Sequence, residues 1–191
     1  MNLPNMLTMS RLVLTCVFII FMQQGAPGAV LALIFFIIAA LTDMLDGHIA
    51  RKHNLITTFG KLMDPVADKF LTLSAFFILA FEGLAPLWMI LVIAFREIVV
   101  TASRLHAMTK GQVIPAEQTG KIKTIVQIAA ILVALVYRVL WSYPATSTGA
   151  NLMEFQWRGL IVAFIIFALV LSVWSGVEYF RAIPKEKATH E

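Results

Sequence analysis

Between Thr42 and Lys69 the run TDMLDGHIARKHNLITTFGKLMDPVADK places four aspartates, Asp43, Asp46, Asp64 and Asp68, in a chain that is 60% hydrophobic. Asp43 and Asp46 are three residues apart and Asp64 and Asp68 four apart, so on helices each pair shares a face. The segment from Lys52 to Phe59 between them is short enough to make the two helices neighbours, and the carboxylates then converge. Such a group cannot stay ionised at a membrane edge without a counter-charge, because desolvation and mutual repulsion both disfavour the charged form. A divalent metal ion is the natural partner. Hard oxygen donors without clustered Cys or His select magnesium, manganese or calcium over zinc, and His48 and His53 do not repeat at a zinc-motif spacing.

The residues around the acids add to this chemistry. Gly47, Ala50 and Gly60 leave space for something bulky to approach the backbone closely. Arg51 supplies a guanidinium fork suited to phosphate. Metal, carboxylate, space and guanidinium together describe a site for a diphosphate. Solvated acids pairing with Lys52, Lys61 and Lys69 are the bland alternative, which accounts for two acids better than for four, since acid clusters at a membrane edge are usually functional.

The elements that must position these groups are apolar. Over 191 residues only 14% are charged, and the mean hydropathy is +0.85, which places the chain outside the composition of soluble domains and inside a membrane. Long apolar stretches run from Leu12 to Met22, Ala29 to Leu41, Phe70 to Phe81, Leu84 to Phe95, Ile125 to Leu140 and Leu160 to Trp174. With flanking residues each is long enough to span as a helix, the second being the shortest. Gly25 to Gly28 and Glu82-Gly83 with Pro86 mark tight turns, and Ser142 to Asn151 a longer polar loop. Pro65, lacking an amide proton, fits the first turn of the third helix near Asp64. No linker, repeat or low-complexity tract interrupts the chain, so residues 1–191 are expected to form one domain. The N-terminus lacks the charged start and cleavage site of a removed signal peptide and is expected to be retained. The lone Cys16 excludes a disulfide within the chain and is expected to be a small packing residue. Tyr137, Trp141, Tyr143, Trp157 and Trp88 fit interfacial anchors.

Basic residues near span ends are held on the cytoplasmic side. Arg11, Arg51, Lys52, Lys61, Lys69, Arg104, Lys110, Lys121, Lys123, Arg181, Lys185 and Lys187 all fall at the N-terminus, the second-to-third or fourth-to-fifth connection, or the C-terminus. The opposite connections hold only Arg138 and Arg158. Both termini and the acidic cluster are therefore expected to face the cytoplasm. The net charge of +4 is spread over several helix ends, which fits anionic lipid and gives no reason to invoke nucleic acid.

The pattern Asp43-x-x-Asp46-Gly47-x-x-Ala50-Arg51, then eight residues and Gly60-x-x-x-Asp64-x-x-x-Asp68, resembles the signature of the CDP-alcohol phosphatidyltransferase family. NLPNMLTMSRL at the start, LMDPVADK, REIVVTASR from Arg96 to Arg104 and GKIKT from Gly120 to Thr124 look most like its bacterial members whose acceptor alcohol is glycerol 3-phosphate. The resemblance implies an all-α bundle of six transmembrane helices around a cytoplasm-facing polar cavity, usually a homodimer, in the bacterial cytoplasmic membrane. It implies transfer of a phosphatidyl group from CDP-diacylglycerol to glycerol 3-phosphate with release of CMP. Siblings using another acceptor alcohol, and more remotely a divalent-cation transporter, are the alternatives; a transporter calls for acids near the bilayer midplane, whereas these sit at one end.

By the same resemblance two metal ions, magnesium before manganese, are held by Asp43, Asp46, Asp64 and Asp68, with Asp68 also the general base. Gly47, Ala50, Gly60 and Arg51 then belong to the CDP-diacylglycerol site. Asn5 and Thr8 either contact its nucleotide or cap the first helix. The acceptor's phosphate needs cations of its own: Arg104 and Lys121 first, with Arg96, Arg11 and Lys123 as further candidates. Arg96 lies deep in an apolar stretch, where a charge must face either a cavity or an acid such as Glu97.

Overall fold

The computed structural model describes the backbone of residues 3–53, 58–109, 118–142 and 150–182, and side chains within 9–42, 66–67, 69–107, 119–142 and 153–182. Among these residues the chain is built of six α-helices: α1 (Leu3–Met22), α2 (Gly25–His53), α3 (Thr58–Phe81), α4 (Leu87–Thr109), α5 (Gln118–Ser142) and α6 (Ala150–Ala182). The all-α class expected from the apolar stretches is borne out. Each stretch lies on its own helix, except that Leu84 and Ala85 belong to the turn before α4.

Helix α2 shows why these segments need a membrane. Ala29, Ala32, Phe36 and Ala39, at helical spacing, face inward and are buried, while Leu31, Ile34, Ile37, Ile38 and Leu41 point outward and are just as apolar. A helix apolar on both faces has hydrocarbon as its outer solvent. Three segments, Gly25–Thr42, Thr119–Ser142 and Met153–Ala182, are long and apolar enough to cross a bilayer, with Met9–Met22 and Lys69–Phe81 shorter apolar helices. The second stretch, expected to be the shortest, is among the three because its apolar run extends back to Gly25.

The core runs through all six helices, with Phe18, Phe36, Phe76, Ile90, Ile131 and Ile161 buried at its centre. Helices α1 and α2 are joined by the stacked rings of Phe21 and Phe35, 5.4 Å apart, and by Phe18 against Phe36 at 5.6 Å. Helices α5 and α6 pack on each other, and both bury small side chains, Ala130 and Ala134 on α5 and Ala168 and Ser172 on α6, as suits helices that approach closely without a hydrophobic driving force between them. Helix α4 packs on α3 and α6, yet among the described residues no Cα of α4 comes within 8 Å of one in α5.

The end of α3 is a Schellman cap: the Leu84 amide donates to the Leu79 carbonyl at 2.9 Å and the Gly83 amide to the Ala80 carbonyl at 3.0 Å. Gly83 has a φ of 72°, a left-handed conformation that a side chain resists. Leu84 is buried beneath the cap, and Pro86 follows, as its inability to continue a helix requires.

Four local expectations need correction. The first tight turn falls at Gln23 and Gln24, so Gly25 to Gly28 open α2, where Pro27 costs nothing because first-turn amides lack helical acceptors. Pro65 lies inside α3, which starts at Thr58; a proline forfeits one amide bond there and the neighbouring turns carry the helix through. Cys16 is exposed on the face it shares with the outward-pointing Val13 and Ile20, and does not fill the core. Tyr137 is buried and stacks on Trp141 at 4.8 Å, so it is a packing residue within the bundle; Tyr143 lies outside the described residues.

Candidate active site

The C-terminal part of α2 carries Asp43, Asp46, Gly47, Ala50 and Arg51, and the N-terminal half of α3 carries Gly60, Asp64 and Asp68. Both runs are helical, so the spacings of three and four residues do put each acid pair on one helix face. The two helices touch, and only residues 54–57 separate them. The side chains of all these residues lie outside those described. So do those of Asn5 and Thr8, which sit on the opening turns of α1.

One residue beyond Asp68, Lys69 is described, and it belongs to a polar centre. Glu97 of α4 is buried, and its carboxylate accepts from the Lys69 ammonium of α3 at 3.2 Å, from Arg96 at 3.2 Å and from the Lys123 ammonium of α5 at 2.5 Å. Gln127 of α5 donates its amide at 3.2 Å and Ser172 of α6 its hydroxyl at 3.4 Å. Arg96 reaches past Glu97 to donate to the Ser175 hydroxyl at 2.9 Å. A carboxylate only 2% exposed is tolerable in an apolar bundle because several charge-assisted donors surround it.

Each predicted cation can now be placed. Arg96 and Lys123 both bind Glu97, so of the two environments open to Arg96 the acid is the one found. Arg11 is buried on α1. Arg104 and Lys121 are exposed, Arg104 near the end of α4 with its guanidinium 5.6 Å from the centre of the Tyr179 ring, and Lys121 in the first turns of α5. The start of α5 is tied to α6 by Thr119, whose hydroxyl donates to Glu178 at 2.6 Å. The structure thus separates the five: Arg96 and Lys123 are held together inside, while Arg104 and Lys121 stand at the ends of the same two helices.

Sequence reasoning missed Glu97 as the hub. A signal was present, since Glu97 and Gln127 each interrupt an apolar run and a polar group in such a run needs a partner.

Among the described residues no group of three or more His, Cys, Asp or Glu could hold a metal ion. Asp43, Asp46, Asp64 and Asp68 lie on the backbones of α2 and α3, two helices that touch, and carboxylates are hard oxygen donors of the kind that suit magnesium or manganese better than zinc.

The model of the CDP-alcohol phosphatidyltransferase family matches residues 1–174. The chain is 40% identical over 192 residues to the CDP-diacylglycerol--glycerol-3-phosphate 3-phosphatidyltransferase of Bacillus subtilis (strain 168), covering 94% of this chain and 93% of that protein. It is 32% identical over 185 residues to the protein of the same name from Rickettsia bellii (strain RML369-C), with 96% of each covered. A probable phosphatidylglycerophosphate synthase of Mycobacterium tuberculosis (strain CDC 1551 / Oshkosh) is 42% identical over 134 residues, 68% of this chain and 64% of that one.

Proposed function

The chain belongs to the CDP-alcohol phosphatidyltransferase family, and from that premise we propose that it transfers the phosphatidyl group of CDP-diacylglycerol to glycerol 3-phosphate, giving phosphatidylglycerophosphate and CMP for phospholipid synthesis. The observation that carries this reading is the 40% identity, over 94% of the chain, to a relative named for that reaction. The helices α2 and α3, which bear Asp43, Asp46, Asp64 and Asp68, are consistent with it.

The four aspartates would hold two divalent ions, magnesium or manganese, which when bound neutralise and polarise the phosphoryl groups. Asp68 accepts the proton of the acceptor's 1-hydroxyl as that oxygen attacks the phosphorus bearing diacylglycerol. The new phosphorus–oxygen bond forms as the bond to the CMP oxygen breaks, and Arg51 holds the charge that departs with CMP. Gly47, Ala50 and Gly60 let the cytidine lie against the helices, with Asn5 and Thr8 reaching it from α1. Arg104 and Lys121 take the acceptor's phosphate, and Arg96, Arg11 and Lys123 add positive potential around it.

The same reading puts all six helices across the bacterial cytoplasmic membrane, with both termini and a polar cavity on the cytoplasmic side, and pairs two chains as a homodimer. The lopsided basic residues support the orientation.

The test is release of CMP from CDP-diacylglycerol by purified protein, with and without glycerol 3-phosphate and magnesium, and with the lipid product identified. Release that needs both additions and yields phosphatidylglycerophosphate is the expected result. Release only with another alcohol would move the chain to a sibling activity, and magnesium uptake into proteoliposomes with no lipid product would overturn the reading.

A further inference from the structure

Helices α4 and α5 carry Arg104 and Lys121, yet among the described residues their Cα atoms nowhere come within 8 Å. What spans the gap is the side chain of Glu97, which holds Lys123 at 2.5 Å and Gln127 at 3.2 Å, one turn apart on α5. The same carboxylate ties both helices to α3 through Lys69 at 3.2 Å and to α6 through Ser172 at 3.4 Å.

We propose that Glu97 is the positioning residue of the acceptor site, setting the spacing between α4 and α5 and so the separation of Arg104 from Lys121. This rests on the reading that those two cations take the phosphate of glycerol 3-phosphate. Helices α4 and α5 are each packed on α3 and α6 and not on one another, so the direct link between them is made by side chains, and a charge-assisted pair fixes distance more tightly than a neutral one. Lys121 lies only two residues before Lys123 on the same rigid helix. Arg104 follows Glu97 by seven residues, two helical turns and about 10 Å of rise. A small rotation or translation of α5 against α4 is therefore delivered directly to the phosphate-binding pair, whereas the nucleotide side, built on α1, α2 and α3, has the extensive packing of α1 on α2 and α3 to hold it when the link from Glu97 to Lys69 is weakened. Misplacement of binding groups by about 1 Å is enough to impair a site whose geometry is otherwise intact.

The expected signature is selective. Glu97→Gln keeps the size of the side chain and loses the charge. Its KM for glycerol 3-phosphate rises about tenfold, the scale of one lost charge-assisted bond, while KM for CDP-diacylglycerol stays within about twofold. Glu97→Asp, which restores the charge on a shorter arm, recovers part of the affinity. Thermal protection of the purified protein by glycerol 3-phosphate falls in the same order, a readout independent of turnover. Because removing a buried carboxylate from three cations can prevent folding, Gln127→Leu is measured alongside. It breaks one α4–α5 link and strands no charge, and is expected to raise the acceptor KM about threefold. Equal acceptor KM in the folded variants, or a parallel rise in both KM values, overturns the inference alone. A wild-type chain that releases CMP only with an alcohol lacking phosphate overturns the functional reading and this inference with it.

Discussion

Arg138 of α5 donates to the Glu82 carboxylate beyond the end of α3 at 3.0 Å, and the same guanidinium donates to the Met22 carbonyl that ends α1. Three helix ends are thereby tied at the face opposite the aspartates, and α1's last carbonyls, which have no helical donors, gain one. Arg138→Gln is expected to cost about 1 kcal/mol of stability, because Glu82 is exposed and the main loss is the charge-assisted bond to the Met22 carbonyl. A lower thermal midpoint with unchanged KM values is the check. Burial pushes the Glu82 carboxyl above its ordinary value, and Arg138 pulls it back. A carboxyl raised in the folded state binds its proton at higher pH there than in the unfolded chain, so its stabilising contribution grows as pH falls through the folded value. Without Arg138 the upward push is unopposed. Acidification through the folded Glu82 value should recover part of the Arg138→Gln loss, but none of it in the Arg138→Gln/Glu82→Gln double variant.

Asp68→Asn removes the proposed proton acceptor and leaves a side chain of the same size. CMP release is expected to fall about a thousandfold, within the range for loss of a general base. Binding of CDP-diacylglycerol, followed by thermal protection, should persist. Retained turnover above about one tenth of wild type would remove Asp68 from the chemistry.

How much of this was legible beforehand depended on the physics behind each feature. Helices and their apolar faces were readable, because hydrocarbon solvation forces long apolar runs that interrupt only at turns. The aspartate pairs were readable because helical spacing alone aligns them. Pro65 and Gly25 to Gly28 misled, since both residue types mark turns on average while a first turn, or one forfeited amide bond, accommodates them inside a helix. Glu97 escaped for a different reason. Its partners Lys69, Lys123, Gln127 and Ser172 come from three other helices, and no spacing within one helix reveals a meeting of four. Cys16 was expected inside on the preference of its type, whereas its helical neighbours Val13 and Ile20 set the outward face.

Arg104→Gln and Lys121→Gln each remove one proposed phosphate contact from an exposed position, so folding is spared. Each should raise KM for glycerol 3-phosphate about tenfold, the loss expected for one charge-assisted contact. KM for CDP-diacylglycerol should hold. The double variant is expected to lose more than either single change, and equal effects on both substrates would place these cations with the nucleotide instead.

Gly176 on α6 offers a last probe, because Arg96 lies against it. A Cβ built there meets Arg96 Nε at 3.1 Å and Cγ at 3.2 Å. A flexible arginine could step aside, but this one is pinned at its far end by Ser175 at 2.9 Å and Glu97 at 3.2 Å. Gly176→Ala must therefore strain those bonds or push α6 away from α4. The cost should be about 1 kcal/mol for overpacking. Gly176→Ala combined with Arg96→Gln should cost less than the two single changes summed, because the shorter side chain vacates the contact. Thermal midpoints of the three variants measure that coupling. Strict additivity would mean that the glycine is tolerated for reasons unconnected with Arg96.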